Sequence, residues 1–315
     1  MKKFILFLYD FLAGLSPYIE VKLRQLYWEN SSKLKKNKPL KNIKLKNDTK
    51  IDFSEIINYL KKSGVKDGSL LIVHSAYDVL ENTGLSADEI VNELIKLVGH
   101  NGTLAMPVIR HFKGEPKYDE ILTANIEDTL FEYNVEKSVV ITGFLPYSLM
   151  KCKNSFTSRF PLNPMTAVGL LAEEMMRKNL DGDFPTPHGI NSSWNFCLNN
   201  NAIVLGLGID LVHYLTILHV AEEAFDDWPI SKEDWYRKRK FKIIDGDDSI
   251  EKNVYERKPK WGMLNLAETK LKKDIFKNKL LKFIEIDGVH VSLVNSKEYI
   301  SFLRKNNKKG YPYYF

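Results

Sequence analysis

The sequence lacks most features of secreted, membrane-spanning and zinc-dependent proteins. It has only two cysteines, Cys152 and Cys197, which are too few for a disulfide framework and favour a cytoplasmic location. Its one N-terminal apolar stretch, "MKKFILFLYDFLAGLSPYI", is shorter than the roughly 20 apolar residues that a membrane-spanning helix needs. No histidine pair has the His-Glu-x-x-His spacing of a zinc enzyme, and we expect no metal site.

The positive charge of the chain is confined to one segment. The formal net charge is +6, yet residues 33–50 alone contain eight lysines against a single aspartate, Asp48. The remainder is close to neutral, so we expect no nucleic-acid partner. The apolar stretch and this lysine-rich segment form an N-terminal extension, residues 1–50. It predicts peripheral contact with the inner face of the membrane or, alternatively, packing on its own domain or a homodimer partner.

From residue 51 the sequence alternates between strand and helix patterns. "SLLIVHS" and "GTLAMPVI" predict buried strands on either side of the helix "SADEIVNELIKLVG". "TAVGLLAEEMMRKN" predicts a helix, "NAIVLGLGI" a further buried strand, and "LTILHVAEEAF" the helix after it. We expect an α/β fold, a three-layer α/β/α core with a central mixed sheet over residues 51–228.

The last part of the chain, residues 229–315, has a different sequence pattern. "WYRKRKFKIIDGDDSIEKNVYERKPKW" predicts a strand pair that turns at Asp245-Gly246-Asp247-Asp248. A charged helix, "LAETKLKKDIFKN", and a last strand and helix follow. We expect a C-terminal α+β portion of the same catalytic domain.

A histidine and a glutamate three residues apart follow the strand "VLGLGID". On a helix, His219 and Glu222 share a face, so the carboxylate can fix the imidazole tautomer and raise its basicity. The same spacing also fits a solvated ion pair on a helix surface. The position after a strand end favours a functional site, because sites in open α/β sheets gather there.

Several stretches, in order and with matching spacing, resemble the aminoglycoside 3-N-acetyltransferase family. "VHSA" resembles the family's Val-His-Ser-Ser, "GHNGTLAMPV" its Gly-x-x-Gly-Thr-Leu and Met-Pro, and "HGINSSWNF" its Gly-x-x-Ser-Pro-Trp. "TSRFPLNPMTAVGLLAEEM" is similar to its Arg-Ser-x-His-Pro region, and "LHVAEE" to its Leu-His-x-Ala-Glu. The resemblance covers about residues 54 to 228.

This resemblance implies an N-acyltransferase that uses acetyl-coenzyme A, or another acyl-coenzyme A, as co-substrate. It implies direct transfer to the amine of a sugar-like acceptor, with Glu222 as the acid/base candidate beside His219. The matching positions that would bind the cofactor are His74, Ser75, Ala76, Met106 and Pro107. The positions where the family has Ser-Pro-Trp, expected to bind substrate, are Ser192, Ser193 and Trp194.

One departure from the family pattern concerns the proton relay. The family's His-Pro is Phe160-Pro161 here, and its downstream serine is Pro164. If the family histidine partners the glutamate, this chain has lost it, and His188 is the candidate replacement. The loss also leaves open a catalytically degenerate protein that binds a membrane surface or a sugar without turnover.

There are two hypotheses for the acceptor of the enzyme. A polycationic aminoglycoside, as in antibiotic resistance, needs carboxylates, for which the candidates are Asp181, Asp183, Asp226 and Asp227. A nucleotide-linked amino sugar, as in surface-glycan biosynthesis, carries phosphates, for which the candidates include Arg237, Arg239 and Arg257. We favour the amino sugar, because the basic N-terminal extension suggests work near a membrane where glycans are assembled.

Overall fold

The computed structural model describes residue 9, residues 11–34 and residues 51–315. The first eight residues and the lysine-rich run from residue 35 to 50 lie outside the described part, and so does much of the predicted extension. What is described of that extension is mainly a helix, Pro17–Leu34. Among the described residues, no helix is long and apolar enough to cross a membrane.

Seven strands form the central sheet, in the order β4-β5-β2-β1-β6-β10-β9. The middle strand β1 runs parallel to both neighbours, β2 and β6, whereas β5, β10, β9 and β4 pair antiparallel. The sheet is therefore mixed, as predicted. The strand bounds are β1 Leu70–Ser75, β2 Thr103–Pro107, β4 Phe156–Thr157, β5 Met165–Gly169, β6 Ile203–Leu207, β9 Leu281–Ile286 and β10 Val289–Asn295.

Helices cover both faces of this sheet and make three layers. Alternate residues of β1 point to opposite sides, so Leu71 and Val73 belong to one apolar cluster and Leu70 and Ile72 to the other. This confirms the predicted α/β class. The described helices are Pro17–Leu34, Phe53–Lys62, Tyr77–Leu80, Ala87–Val98, Phe144–Lys151, Ala172–Arg177, Ser193–Asn199, Val220–Glu223, Lys232–Trp235, Glu268–Lys277 and Ser296–Asn306.

A second sheet of three strands, in the order β3-β7-β8, has its own small core. β7, Tyr236–Asp245, and β8, Asp248–Arg257, form the predicted hairpin, with Gly246 in the left-handed conformation at the turn. β3, Leu130–Asn134, pairs in parallel with β7 and was not predicted. The core beneath is largely aromatic and comprises Phe112, Phe131, Tyr133, Phe160 and Phe241 together with aliphatic side chains.

Two predicted helices differ from the structure. The "TAVG" of "TAVGLLAEEMMRKN" is strand β5, and the helix begins only at Ala172. The segment "LTILHVAEEAF" is a 3₁₀ turn, Thr216–His219, followed by the single-turn helix Val220–Glu223. β9 and β10 join the central sheet, so residues 229–315 contribute to both sheets, while the predicted domain bounds stay predictions.

Candidate active site

The carboxyl ends of two parallel strands bring the first candidate residues to one edge of the central sheet. β1 pairs with β6 so that His74 lies opposite Gly206 and Ser75 opposite Leu207. A Cβ atom at Gly206 would lie 2.7 Å from the hydroxyl of Ser292 on β10. Glycine therefore leaves room for the Ser292 side chain beside β6. Because β1 and β6 are parallel, the segments that leave their carboxyl ends begin side by side.

His219 and Glu222 form a buried hydrogen-bonded pair close to this edge. The atom Nδ1 of His219 lies 2.8 Å from Oε2 of Glu222. The glutamate side chain is 1% exposed and the histidine side chain 16%. A solvated surface ion pair, the alternative that the spacing allows, does not describe this geometry.

Two residues from distant parts of the chain complete the surroundings of Glu222. The hydroxyl of Tyr313 donates to Oε1 of Glu222 at 2.7 Å. Arg257, at the end of β8, donates to the Tyr313 hydroxyl, and its Nη1 lies 4.0 Å from Glu222 Oε2. The same Nη1 is 3.4 Å from Nδ1 of His219. Both carboxylate oxygens are therefore held, which fixes the orientation of the group.

Burial shifts the proton equilibria of the pair in opposite directions. It raises the pKa of Glu222 to about 7, although Arg257 and the Tyr313 hydrogen bond act to lower that pKa. It lowers the pKa of His219 well below the ordinary value, and the Arg257 charge adds to this effect. At neutral pH the imidazole is uncharged and Glu222 is divided between its two forms. Such a pair can take up a proton under physiological conditions.

His188 adjoins the pair and is held by a second glutamate. Its ring centroid lies 4.9 Å from that of His219. Its backbone N–H donates to Oε2 of Glu223 at 3.0 Å, and its ring Nδ1 lies 3.5 Å from Oε1 of Glu223. Asn163 Nδ2 lies 3.3 Å from the other ring nitrogen, Nε2. The structure thus brings His188 to the acid–base pair, through contacts with His219 and Glu223.

A series of ring contacts connects the end of β1 with this cluster. His74 stacks against Trp194 at 6.1 Å between centroids, and Trp194 lies 5.8 Å from His188. Burial lowers the pKa of His74 to about 4, so its imidazole is neutral. Its Nε2 is buried with no hydrogen-bond partner among the described residues. The edge of the sheet and the acid–base pair therefore belong to one region of the molecule.

A cleft of about 320 Å³ opens beside the cluster, with His188 and His219 in its wall. Arg237 Nε donates to Glu256 Oε1 at 2.7 Å, and Arg239 lies 3.1 Å from the same carboxylate. The charged side chains that line it are Arg110, Arg237, Arg239, Arg257, Glu115, Glu223 and Glu256. Such a mixture of guanidinium and carboxylate groups suits a ligand that carries both an amine and an anionic group.

The sequence profile of the aminoglycoside 3-N-acetyltransferase family matches residues 72–306. The chain belongs to this family. A curated relative, aminoglycoside N(3)-acetyltransferase IX of Micromonospora chalcea, is 27% identical over 182 residues. The match spans 55% of this chain and 62% of that relative, or about three fifths of its length. Family membership confirms the resemblance that the motifs indicated.

Solved structures of aminoglycoside acetyltransferases have the same fold. AAC(3)-Xa superposes with a TM-score of 0.66 at 16% identity, covering 82% of this chain and 93% of that one. AAC-IIIb, in a binary complex with CoASH, gives 0.62 at 19% identity over 82% and 98%. AAC-VIa bound to sisomicin gives 0.64 at 14% identity over 82% and 100%. These similarities confirm the predicted fold.

At the position where this chain departs from the aminoglycoside 3-N-acetyltransferase motif, the side chain belongs to the core and not to the cleft. Phe160, which replaces the family histidine, is buried in the aromatic core of the three-stranded sheet. Pro161 and Asn163, just after it, line the cleft. Histidine rings reach the cleft from two other positions, His188 and His219.

Several other residues that the resemblance singled out are buried in the fold or stabilise its elements. Met106 is fully buried in an apolar cluster and Pro107 pairs with β5, so Met106 has no surface to offer a ligand. Ser192 caps the helix Ser193–Asn199 by accepting a hydrogen bond from Asn195, and Ser193 is buried in that helix. These positions hold the fold around Trp194.

The carboxylates proposed for a polycationic acceptor lie outside the cleft lining. Asp183 is exposed, and Asp227 pairs with Arg304 at 3.0 Å. The carboxylates in the cleft are those of Glu115, Glu223 and Glu256. Arg237, Arg239 and Arg257, the candidates for a phosphate-bearing acceptor, line the cleft.

Sequence reasoning missed Tyr313 and Asn163, and it gave Glu223 no role apart from Glu222. Glu223 directly follows Glu222, so the sequence contained a signal for it. Tyr313 and Asn163 carry none, because their positions depend on the folded chain. In the part of the chain that the structure describes, no group of three or more histidine, cysteine, aspartate or glutamate side chains could hold a metal ion.

Proposed function

We propose that the protein is an N-acetyltransferase that transfers an acetyl group from acetyl-coenzyme A to the amine of an amino sugar. The observation that carries this proposal is the His219–Glu222 pair, whose carboxyl group is buried, held by Tyr313 and shifted to a pKa of about 7. A group that titrates near the working pH is the kind that general-base catalysis needs.

The proton path follows from the contacts of the pair. Nδ1 of His219 is engaged by Glu222, so Nε2 is the ring nitrogen left for an acceptor amine. As the amine nitrogen bonds to the acyl carbon, His219 takes its proton and Glu222 stabilises the imidazolium. The same proton then passes to the sulfur as the carbon–sulfur bond breaks. Arg257 and Tyr313 keep the carboxylate oriented during both transfers.

Acetyl-coenzyme A would supply the thioester, and residues at the end of β1 fit its amide-rich arm. His74 has a buried Nε2 without a partner among the described residues, and a pantetheine amide would satisfy it. Ser75 and Ala76, both half-buried, follow directly. We assign His74, Ser75 and Ala76 to the acyl end of the co-substrate.

The acceptor we favour is a nucleotide-linked amino sugar used in surface-glycan biosynthesis. Arg237, Arg239 and Arg257 support it, because guanidinium groups bind phosphates in two-pronged fashion. The alternative is an aminoglycoside, the class of compound after which the relatives are named. The glutamates in the cleft, Glu115 and Glu256 among them, would serve its ammonium groups.

A thiol-release assay separates these acceptors. The protein is incubated with acetyl-coenzyme A and, in turn, nucleotide-linked amino sugars, free amino sugars and aminoglycosides. Release with the nucleotide-linked compounds supports the proposal, whereas release with aminoglycosides alone supports the alternative. Binding of coenzyme A without release on any acceptor would indicate the degenerate, non-catalytic protein. Mass spectrometry of the product must locate the acetyl group on nitrogen.

We further propose a cytoplasmic protein with peripheral membrane contact. Two residues of the N-terminal helical segment, Phe11 and Leu15, are 56% and 60% exposed, and Leu26 is also exposed. Such apolar side chains beside a lysine-rich run would bind an anionic bilayer. Replacing Phe11 and Leu15 by serine should reduce sedimentation with phosphatidylglycerol vesicles, and unchanged sedimentation would reject the contact. A homodimer stays a prediction, for which sedimentation velocity is the test.

A further inference from the structure

A second cleft, of about 730 Å³, lies at the C-terminal end of the chain. We call it the C-terminal cleft. Its walls come from four places: Tyr18 of the N-terminal helix, Pro229 and Ile230, the helix Glu268–Lys277, and residues 305–315. Its lining shares no residue with the cleft beside His188 and His219. Its volume falls in the range of sites for small organic ligands.

The lining of the C-terminal cleft carries an excess of positive charge. The carboxylate of Asp274 is engaged, since Lys270 donates to it at 2.6 Å. Three further lysines line the cleft, Lys305, Lys308 and Lys309, and form no ion pair with the residues that the structure describes. The lining therefore has four lysine side chains, Lys270 included, against the single carboxylate of Asp274. Free ammonium groups around one cavity are suited to phosphate.

Aromatic rings stand at the mouth of the same cleft. Phe315 is 74% exposed and Tyr18 is 61% exposed. Tyr314 also lines the cleft, and its ring lies 5.3 Å from that of Tyr18. Exposed ring faces accept the flat face of a nucleobase, and neighbouring lysines accept the phosphate attached to it.

We propose that the C-terminal cleft binds a nucleoside phosphate. Lys305, Lys308 and Lys309 contact the phosphate, and Tyr18 and Phe315 stack on the base. Two compounds of the proposed reaction contain this chemistry. One is the phosphorylated adenosine of coenzyme A. The other is the nucleotide of a nucleotide-linked acceptor, whose phosphates would then bind these lysines and not the arginines of the cleft beside His219. The site itself does not depend on acetyl transfer.

Tyr313 couples the C-terminal cleft to the acid–base cluster. It lines this cleft, and its hydroxyl donates to Glu222. Trp235 lies 5.1 Å from the Tyr313 ring, and Trp261 lies 5.6 Å from the ring of Phe315. A ligand that stacks on Phe315 therefore changes the surroundings of a tryptophan, and tryptophan fluorescence reports its binding.

The test is a fluorescence titration of the full-length protein with uridine diphosphate, coenzyme A and 3′-dephospho-coenzyme A. We expect a saturable change, with the dissociation constant of the preferred nucleotide weakened at least 10-fold in the triple variant Lys305→Ala, Lys308→Ala, Lys309→Ala. The matched control replaces Lys61, Lys62 and Lys66, exposed lysines of another region, by alanine and should bind as the wild type does.

The two ligand sources give different results. Tighter binding of coenzyme A than of its 3′-dephospho form identifies the donor, whereas tighter binding of uridine diphosphate than of either identifies the acceptor. An unchanged dissociation constant in the cleft variant, or no saturable response to any nucleotide, overturns the proposal. Thermal unfolding of both triple variants establishes that they are folded. The titration measures binding and not catalysis. A negative result therefore rejects the nucleotide site without rejecting acetyl transfer, which the thiol-release assay tests separately.

Discussion

At the scale of single residues, the proton transfer that we propose depends on Glu222. With a pKa of about 7, its basic form becomes more populated as the pH rises through neutrality, so kcat/KM should rise over the same interval. Glu222→Gln removes this titration and should lower kcat by about 10²-fold or more. Rates measured from pH 5 to 9 check both effects.

The matched control for this substitution is Glu93→Gln. Glu93 lies on the helix Ala87–Val98, where its ion-pair partner among the described residues is the exposed Lys96. It should keep the wild-type rate and the wild-type pH profile. A Glu222→Gln variant with a rate near wild type would remove Glu222 from the mechanism.

Tyr313 tunes Glu222 without being the proton acceptor. Its hydroxyl donates to Oε1 of Glu222 and thereby lowers the carboxyl pKa, against the larger effect of burial. Tyr313→Phe removes that hydrogen bond but keeps the ring. We expect the pKa of Glu222 to rise further, so the increase of kcat/KM with pH should move to higher pH. A midpoint that stays in place, or moves to lower pH, would show that the hydroxyl does not act on Glu222.

At the scale of elements, a buried carboxylate, Glu20, helps to anchor the N-terminal helix, and an ion pair of Arg24 with Glu268 joins the same two helices. Both oxygens of Glu20 accept the backbone N–H of Thr269, at 3.0 and 3.1 Å. Thr269 stands in the first turn of the helix Glu268–Lys277, whose N-cap residue, Ala267, offers no side-chain acceptor. Glu20 therefore caps that helix from a different element and complements its dipole.

Removal of this cap should destabilise the fold. Glu20→Ala leaves a buried N–H without an acceptor, and we expect the free energy of unfolding to fall by about 1–3 kcal/mol. The control is Glu55→Ala, an exposed first-turn glutamate, which should change it by less than about 0.5 kcal/mol. Urea denaturation measures both. Equal effects of the two substitutions would mean that the Glu20 contact contributes nothing specific.

Elements with a complete local signal were predictable, and the others were not. The helix Ala87–Val98 has a capping box between Ser86 and Glu89 and an apolar face, so its pattern alone identifies it. β5 looked like the start of a helix, because a short apolar run does not reveal its period. Its strand conformation depends on pairing with β2, which lies about sixty residues earlier. β3 likewise depends on β7, a partner from a distant segment.

In the candidate site, too, contacts between residues close in sequence were predictable, and contacts between distant residues were not. The spacing of His219 and Glu222 predicted their contact, because it relies on local geometry alone. The contact of Tyr313 with Glu222 joins residues 91 positions apart, and no local pattern encodes it. His188 was a candidate only because Phe160 broke the family motif, and its meeting with Glu223 needed the folded chain.

At the scale of the whole molecule, the location of charge matters more than its sum. The net charge of +6 suggests a cationic enzyme, yet it resides in residues 33–50, most of which lie outside the described part of the chain. The cleft beside His219 has its own balance, four arginines against three glutamates. In the proposed function the acceptor binds within this cleft, so we expect the lining, and not the total charge, to govern selectivity.

The sign of the salt dependence therefore tests the charge of the acceptor. For a nucleotide-linked amino sugar, kcat/KM should fall as ionic strength increases, because salt screens the attraction between phosphates and guanidinium groups. Arg237→Gln should weaken this dependence, whereas Lys242→Gln, exposed on β7 outside the cleft, should leave it unchanged. An aminoglycoside lacks the phosphates and should not gain from the arginines. If kcat/KM for the nucleotide-linked acceptor were insensitive to salt and to Arg237→Gln, the guanidinium groups would have no part in binding it.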